Sequence, residues 1–242
     1  MAVYLLLVLP FFSYANCSKL INDLTLKYHP NVSDKDFSFE DCKVWPEDPS
    51  KTIVVLAISK DQDINYAGFD LDVILVNNKN NKVIARNFEK KAITSDAINF
   101  TGLSIDTARY YPTAQSRAFG IRLNRSNNSG YFPYEEQNLN LYHFHNNKLT
   151  RILSMLKVYL SGGEANDGCI GEFNKIESIL SMSAKKTNDF ADINVTDKRT
   201  KIKIINSEIP NECEDKIIKL KPRKFTLRYN GQKYVIPKIN DR

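Results

Sequence analysis

Short apolar runs and strict alternation, not helical spacing, dominate this chain. Residues 53–58, Ile-Val-Val-Leu-Ala-Ile, are an unbroken apolar run rich in β-branched residues and bounded by turn formers, and they predict a buried strand. Residues 71–76 predict a second strand. Asn77-Asn78-Lys79-Asn80-Asn81 then supplies turn chemistry, because Asn tolerates left-handed backbone, and residues 82–86 return as the partner strand. Two more short strands are expected over 97–103 and 104–111, around Thr101-Gly102. The pattern recurs. Residues 117–123 read as a strand; residues 139–144 alternate, turn at Asn146-Asn147 and return over 149–155. Residues 176–182 open a third copy, followed by a loop over 188–192, a strand at 193–195, a turn near Asp197-Lys198 and a strand over 201–205. Asn230-Gly231 closes the chain with a hairpin between 225–229 and 233–236.

Helical periodicity is nearly absent. Residues 22–26 could make one helical turn, and 113–116 and 175–180 are the other short candidates, with strand preferred for the last. Residues 16–50, with Pro30, Pro46 and Pro49, predict an irregular lead-in whose Trp45 packs on the core. A buried strand, a polar loop and a hairpin thus occur at least three times. The expected fold is a single all-β domain over 51–242, built of repeated antiparallel meanders and β-propeller-like, with a large β-sandwich as the alternative. A propeller would leave only short, protected strand edges.

Residues 5–12 are apolar but too few to span a bilayer as a helix, and Ser13-Tyr14-Ala15 carries small residues where a signal peptidase needs them. Residues 1–15 are therefore expected to be a cleaved signal peptide, and the protein periplasmic or secreted. No later segment is long and apolar enough to be a transmembrane helix. Cys17, Cys42, Cys169 and Cys213 then suggest two disulfides, with three connectivities open; Cys42 with Cys169 and Cys17 with Cys213 is the preferred one. The net charge of +6 lies wholly after residue 15 and favours an acidic partner surface. Nucleic acid is not expected, because Lys and Arg are spread along the chain without interleaved aromatics.

Candidate chemistry starts at residues 61–72, where side-chain oxygens come at near-alternate positions around Gly68. Calcium takes six to eight oxygens from a tight loop, so Asp61, Asp63, Asn65 and Asp70 are the expected ligands of one structural calcium ion. Asp72 is expected to point to solvent. Residues 63–71, Asp-Ile-Asn-Tyr-Ala-Gly-Phe-Asp-Leu, resemble the calcium loop of FG-GAP/VCBS-type β-propeller repeats. Asp63, Asn65, Gly68, Asp70 and Leu71 match that pattern; Ala67 replaces a carboxylate ligand, and Asp61 stands just upstream to compensate. Residues 188–193 echo the end of the motif. The resemblance implies a propeller-like exported protein. Several small periplasmic proteins of this kind act as inhibitors or immunity proteins against cell-wall-degrading toxins.

His143-Phe144-His145 places two imidazoles on one face of a strand. A zinc or copper site would need a further ligand, so exposed strand-end histidines are the expected reading. Ser161-Gly162-Gly163-Glu164 and Ser129-Gly130-Tyr131 read as turns, since neither has the G-x-S-x-G pattern of a nucleophile elbow. The second lies in a long polar loop, residues 122–137, and long loops on a β scaffold are where recognition residues gather. Ser129, Gly130, Tyr131 and Tyr134 are the partner-binding candidates. Residues 216–224 predict a strand with a basic face suited to an acidic partner. With no assignable pair of catalytic carboxylates, the expected function is a non-enzymatic exported binding protein. An immunity protein or inhibitor of a secreted or cell-wall-targeting hydrolase is the concrete form. A glycan-acting envelope enzyme and a calcium-stabilised structural or adhesion module are the alternatives.

Overall fold

The computed structural model describes residues 17–32, 38–63, 66–166, 168–209 and 212–239. The expected signal peptide lies outside them. One helix, α1 (Cys17–Tyr28), precedes twelve strands: β1 (Ser38–Val44), β2 (Lys51–Asp63), β3 (Tyr66–Asn77), β4 (Val83–Ser95), β5 (Asn99–Thr113), β6 (Ser116–Ser126), β7 (Tyr134–His145), β8 (Lys148–Ala165), β9 (Gly171–Thr187), β10 (Phe190–Asn206), β11 (Cys213–Tyr229) and β12 (Tyr234–Val235). They form two antiparallel sheets in simple sequential order, β1–β4 and β5–β12. Propeller blades would each have about four strands, whereas one sheet here has four and the other eight, neither closed; the arrangement fits the large β-sandwich.

The apolar runs explain the layering. β2 and β3 are buried on both sides. Ile53, Val55, Leu71, Val73 and Leu75 face Phe119, Ile121, Leu123 and Tyr142 of the larger sheet, forming the inter-sheet core. Val54, Leu56, Ile58, Ile74 and Val76 point the other way and are covered by Leu20, Ile21 and Leu24 of α1. Two-sided burial is why residues 53–58 show no alternation. A second core lies within the larger sheet. Ala118, Leu139, Leu141, Leu153 and Leu156 pack with Ile193, Val195 and Leu227 from the far end of the same sheet. The sheet therefore rolls onto itself, and β5 lies against β9 and β10.

Several expectations need correcting. The lead-in is not irregular: it supplies α1 over three turns, and β1 pairs with β2 from Ser38 to Val44. Trp45 is buried in the core as expected. The two short strands around Gly102 are one strand, β5, and the expected turn near Asp197 lies within the unbroken strand β10, opposite a bulge in β11. Asp197 is fully buried there, accepting hydrogen bonds from Ser178 Oγ at 2.7 Å and from Arg223 at 2.9–3.0 Å. The disulfides join Cys17 to Cys42 and Cys169 to Cys213, with Cα separations of 5.8 and 5.3 Å. Each connects near neighbours in the fold, because sequential pairing keeps the start and the end of the chain in different sheets.

Asp72 is the sharpest departure. It does not reach solvent. It projects to the α1 side of the first sheet and is fully buried there. His29, just past the end of α1, places Nε2 2.8 Å from Asp72 Oδ2, and Arg86 donates to both carboxylate oxygens at 2.7–2.9 Å. The Arg86 guanidinium also lies 4.1 Å from the Tyr28 ring centroid. Helix, β3 and β4 are thus fastened by one carboxylate.

Candidate functional site

The oxygen-rich stretch is not a free loop. Residues 61–63 pair with 66–68 in the β2–β3 ladder. Asp70 is buried, and its Oδ1 accepts the Lys91 N–H at 2.8 Å, where Lys91 takes a positive φ of 49° at a bulge in β4. The side chains of Asp61, Asp63 and Asn65 lie outside the described residues. Among the described residues no group of three or more His, Cys, Asp or Glu side chains gathers around a metal-sized space.

The polar loop after β6 is better defined. After β6, Asn127 makes a reciprocal pair with Tyr134: Asn127 N–H donates to the Tyr134 carbonyl at 3.0 Å, and Tyr134 N–H donates to Asn127 Oδ1 at 2.9 Å. Asn127 Nδ2 donates to the Phe132 carbonyl at 3.0 Å, and Ser129 Oγ accepts the Phe132 N–H at 2.9 Å. The loop then runs alongside the end of β8, where Ala165 N–H donates to the Tyr131 carbonyl at 2.9 Å. Gly162 permits that approach, and Gly163 permits the approach of β9 on the other side. A Cβ on Gly162 would stand 3.1 Å from the Tyr134 ring, and one on Gly163 would run into the Glu172 carbonyl of β9. The glycines read as a turn in the sequence are therefore strand residues that admit neighbouring backbone.

These bonds hold two aromatic rings outward. Tyr131 and Phe132 are 53% and 63% exposed, and Ile170, at the β8–β9 turn, is 65% exposed. Together with Glu164, Glu172, Lys203, Ile204 and Ile205 they line a groove of about 580 Å³. The Cys169–Cys213 bridge fastens the β8–β9 turn to the start of β11. Lys201 pairs with Glu172 at the rim and holds its carboxyl below the usual range.

Of the four sequence candidates, Tyr131 alone presents its side chain to this groove. Ser129 shapes the loop through its bond to the Phe132 N–H, and Gly130 stands in open space. Tyr134 is half-buried and anchors it from below: its Oη donates to Glu136 Oε2 at 2.7 Å and accepts from Lys157 Nζ at 3.1 Å. Lys157 also pairs with Glu136 at 2.8 Å, and Arg125 and Asn138 donate to the other carboxylate oxygen at 3.3 and 3.0 Å. Burial alone would raise the Glu136 pKa, but the bonds from Lys157 and Tyr134 outweigh it and hold the group ionised. Burial and the Glu136 bond push the Tyr134 hydroxyl up, so it stays protonated. Phe132, Ile170 and Lys203 were not legible as site residues. No sequence signal pointed to them, because the Cys169–Cys213 pairing that brings Ile170 and β11 to the same end was itself open in the sequence.

A second cavity of about 380 Å³ contains Thr113, Ser116, His143, His145, Phe190 and Tyr229. His145 is exposed as expected, but His143 is buried, correcting the strand-end reading. Its Nε2 lies 2.6 Å from Ser116 Oγ, and Ser116 Oγ lies 2.7 Å from Thr113 Oγ1. The two imidazoles stack with centroids 5.9 Å apart. Burial, aided by His145, lowers the His143 pKa to about 4, so this imidazole is neutral near pH 7 and a weak base. Among the described residues no carboxylate hydrogen-bonds to it, so the Ser–His contact lacks the orienting group of an activated nucleophile.

Comparison with protein-family models, curated proteins and solved structures finds no match to this chain. The functional reading rests on the groove.

Proposed function

We propose that this chain is an exported binding protein whose partner is another protein, engaged at the groove between residues 127–133 and the β8–β9 turn. The observation that supports it most is the exposure of Tyr131, Phe132 and Ile170 on a segment whose backbone is already fixed by hydrogen bonds. Pre-ordering removes entropy that binding would otherwise cost, and aromatic anchors dominate interface energies. Two disulfides suit an oxidising compartment. The concrete form of the proposal is an inhibitor or immunity protein directed at a secreted or cell-wall-targeting hydrolase. That part leans on the resemblance of residues 63–71 to propeller-family calcium loops.

Capture from an envelope fraction, followed by mass spectrometry, identifies the partner. Tyr131→Ser with Phe132→Ser is then expected to weaken it by about thirtyfold or more, the loss of at least one hot spot. Unfolding free energy should move by only about 0.5 kcal/mol, as for exposed positions generally. Undiminished affinity in that double variant removes the groove from the proposal.

A structural calcium ion held by Asp61, Asp63, Asn65 and Asp70 belongs to the same reading. Because an ion bound only by the folded state stabilises it, added calcium is expected to raise the melting temperature and chelator to lower it. The expected scale is about 2–4 °C per kcal/mol of binding for a chain of this size. Superimposable melts in calcium and chelator reject the ion.

A further inference from the structure

The last long strand leaves its backbone open along one side. β11 pairs with β10 over most of its length, but among the described residues its other side meets only β12, at Arg228 and Tyr229. Elsewhere β1 and β5 lie against each other, β5 also packs on β10, and β4 lies against β5 and β8. Over residues 213–221, every second residue of β11 therefore turns its N–H and C=O away from β10. Pro222 ends this usable edge. It sits in a bulge, where β11 has one more residue than β10 between the pairs Arg199–Leu220 and Asp197–Arg223.

Charge decides what such an edge accepts. Residues 213–221 carry Lys216, Lys219 and Lys221 beside Glu214 and Asp215, so the basic part of the edge is residues 216–221. Lys216 also stands directly opposite Lys203 on β10. A strand carrying lysines would set like charges beside Lys216, Lys219 and Lys221. A strand with acidic side chains meets the opposite situation. Ile217, 64% exposed and cross-strand to Ile202, adds an apolar contact between the lysines.

We propose that residues 213–221 of β11 receive an extended acidic segment of a partner protein as an added strand. Main-chain hydrogen bonds would supply the affinity, and the lysines and Ile217 the choice of acidic and apolar side chains at alternate positions. The proposal does not depend on the groove. It adjoins it, because Ile204 and Ile205, which line the groove, pair with Asp215 and Glu214 of β11.

The test uses the full folded protein and two short synthetic peptides, one of alternating Glu and Val, the other of alternating Lys and Val. Binding is followed by fluorescence anisotropy, and strand addition by amide hydrogen exchange. The Glu peptide is expected to bind at least about tenfold tighter than the Lys peptide, and to slow exchange of outward-facing amides within residues 213–221. The combined variant Lys216→Glu, Lys219→Glu, Lys221→Glu should invert the preference. Tyr131→Ser with Phe132→Ser should leave peptide binding unchanged, which separates failure of the edge from failure of the groove. Equal affinity for the two peptides overturns the proposal, as does binding without protection over 213–221, the signature of diffuse charge attraction only.

Discussion

Asp72→Ala is expected to cost about 3–5 kcal/mol of unfolding free energy, the usual result of removing one partner from a buried ion pair. The penalty comes less from the lost attraction than from what is left behind. Arg86 donates to both oxygens of Asp72, and His29 Nε2 is 2.8 Å from one of them, so alanine strands a guanidinium and an imidazole beneath α1. His29 is itself buried and cannot turn to water without lifting the end of the helix. Urea denaturation of the variant gives the loss directly from the shift in midpoint at unchanged slope. Asp72→Asn should recover part of it, because the amide keeps one acceptor oxygen and the volume. If alanine is tolerated within about 1 kcal/mol, the His29–Asp72–Arg86 cluster does not fasten the helix to the sheet.

Acid is expected to destabilise the protein through His143. Burial lowers the His143 pKa from 6.5 to about 4. The folded state therefore resists a proton that the unfolded chain accepts readily. The stabilisation is fully present above pH 6.5 and is lost as pH falls from there toward 4, because the unfolded state binds more protons across that window. At about 1.4 kcal/mol per pKa unit, the loss reaches about 3 kcal/mol at the acid end. Glu136 and Asp106 have pKa values held below their ordinary ones, so their contributions are lost only below the usual carboxylate range. The interval from pH 6.5 to 4.5 thus lies above the range in which these two carboxylates contribute. His143→Gln, which can still hydrogen-bond to Ser116, should flatten the stability profile there. A profile as steep in the variant as in the parent assigns the slope to other groups.

Much of the fold was legible in local pattern. The run at 53–58, the Asn-rich turn at 77–81, the Asn146-Asn147 turn and the Asn230-Gly231 turn all mark strands or hairpins that form. Asn81, Asn146 and Asn147 take positive φ, the property that made them turn signals. Strand lengths were less legible. Asp197 and Gly102 read as breakers, yet each lies within a single strand, because a bulge or a neighbouring ladder overrode local preference. The α1 helix was seen only as a turn: its apolar face, Leu20, Ile21 and Leu24, is short and is stabilised by docking on β2 and β3, not by propensity.

The site was half legible. A long polar loop containing Tyr131 announced a surface feature, but the groove needs Ile170, Ile204 and Ile205 from distant parts of the chain. Tyr134 looked equivalent to Tyr131 in sequence. The structure separates them, because Tyr134 pairs with Gly162 in the ladder and reaches the Glu136–Lys157 pair.

By itself the sequence determined the strand content, most of the turns and an even set of cysteines suited to disulfides. These follow from side-chain periodicity and backbone preference, which act over a few residues. Only the tertiary structure decided that the meander divides into a four-stranded and an eight-stranded sheet, that the larger one rolls onto itself, and which cysteines meet. It also decided that Asp72 is buried while Ile170 is exposed. Those outcomes depend on which faces come together across long stretches of chain, and a face is defined by its neighbours in space.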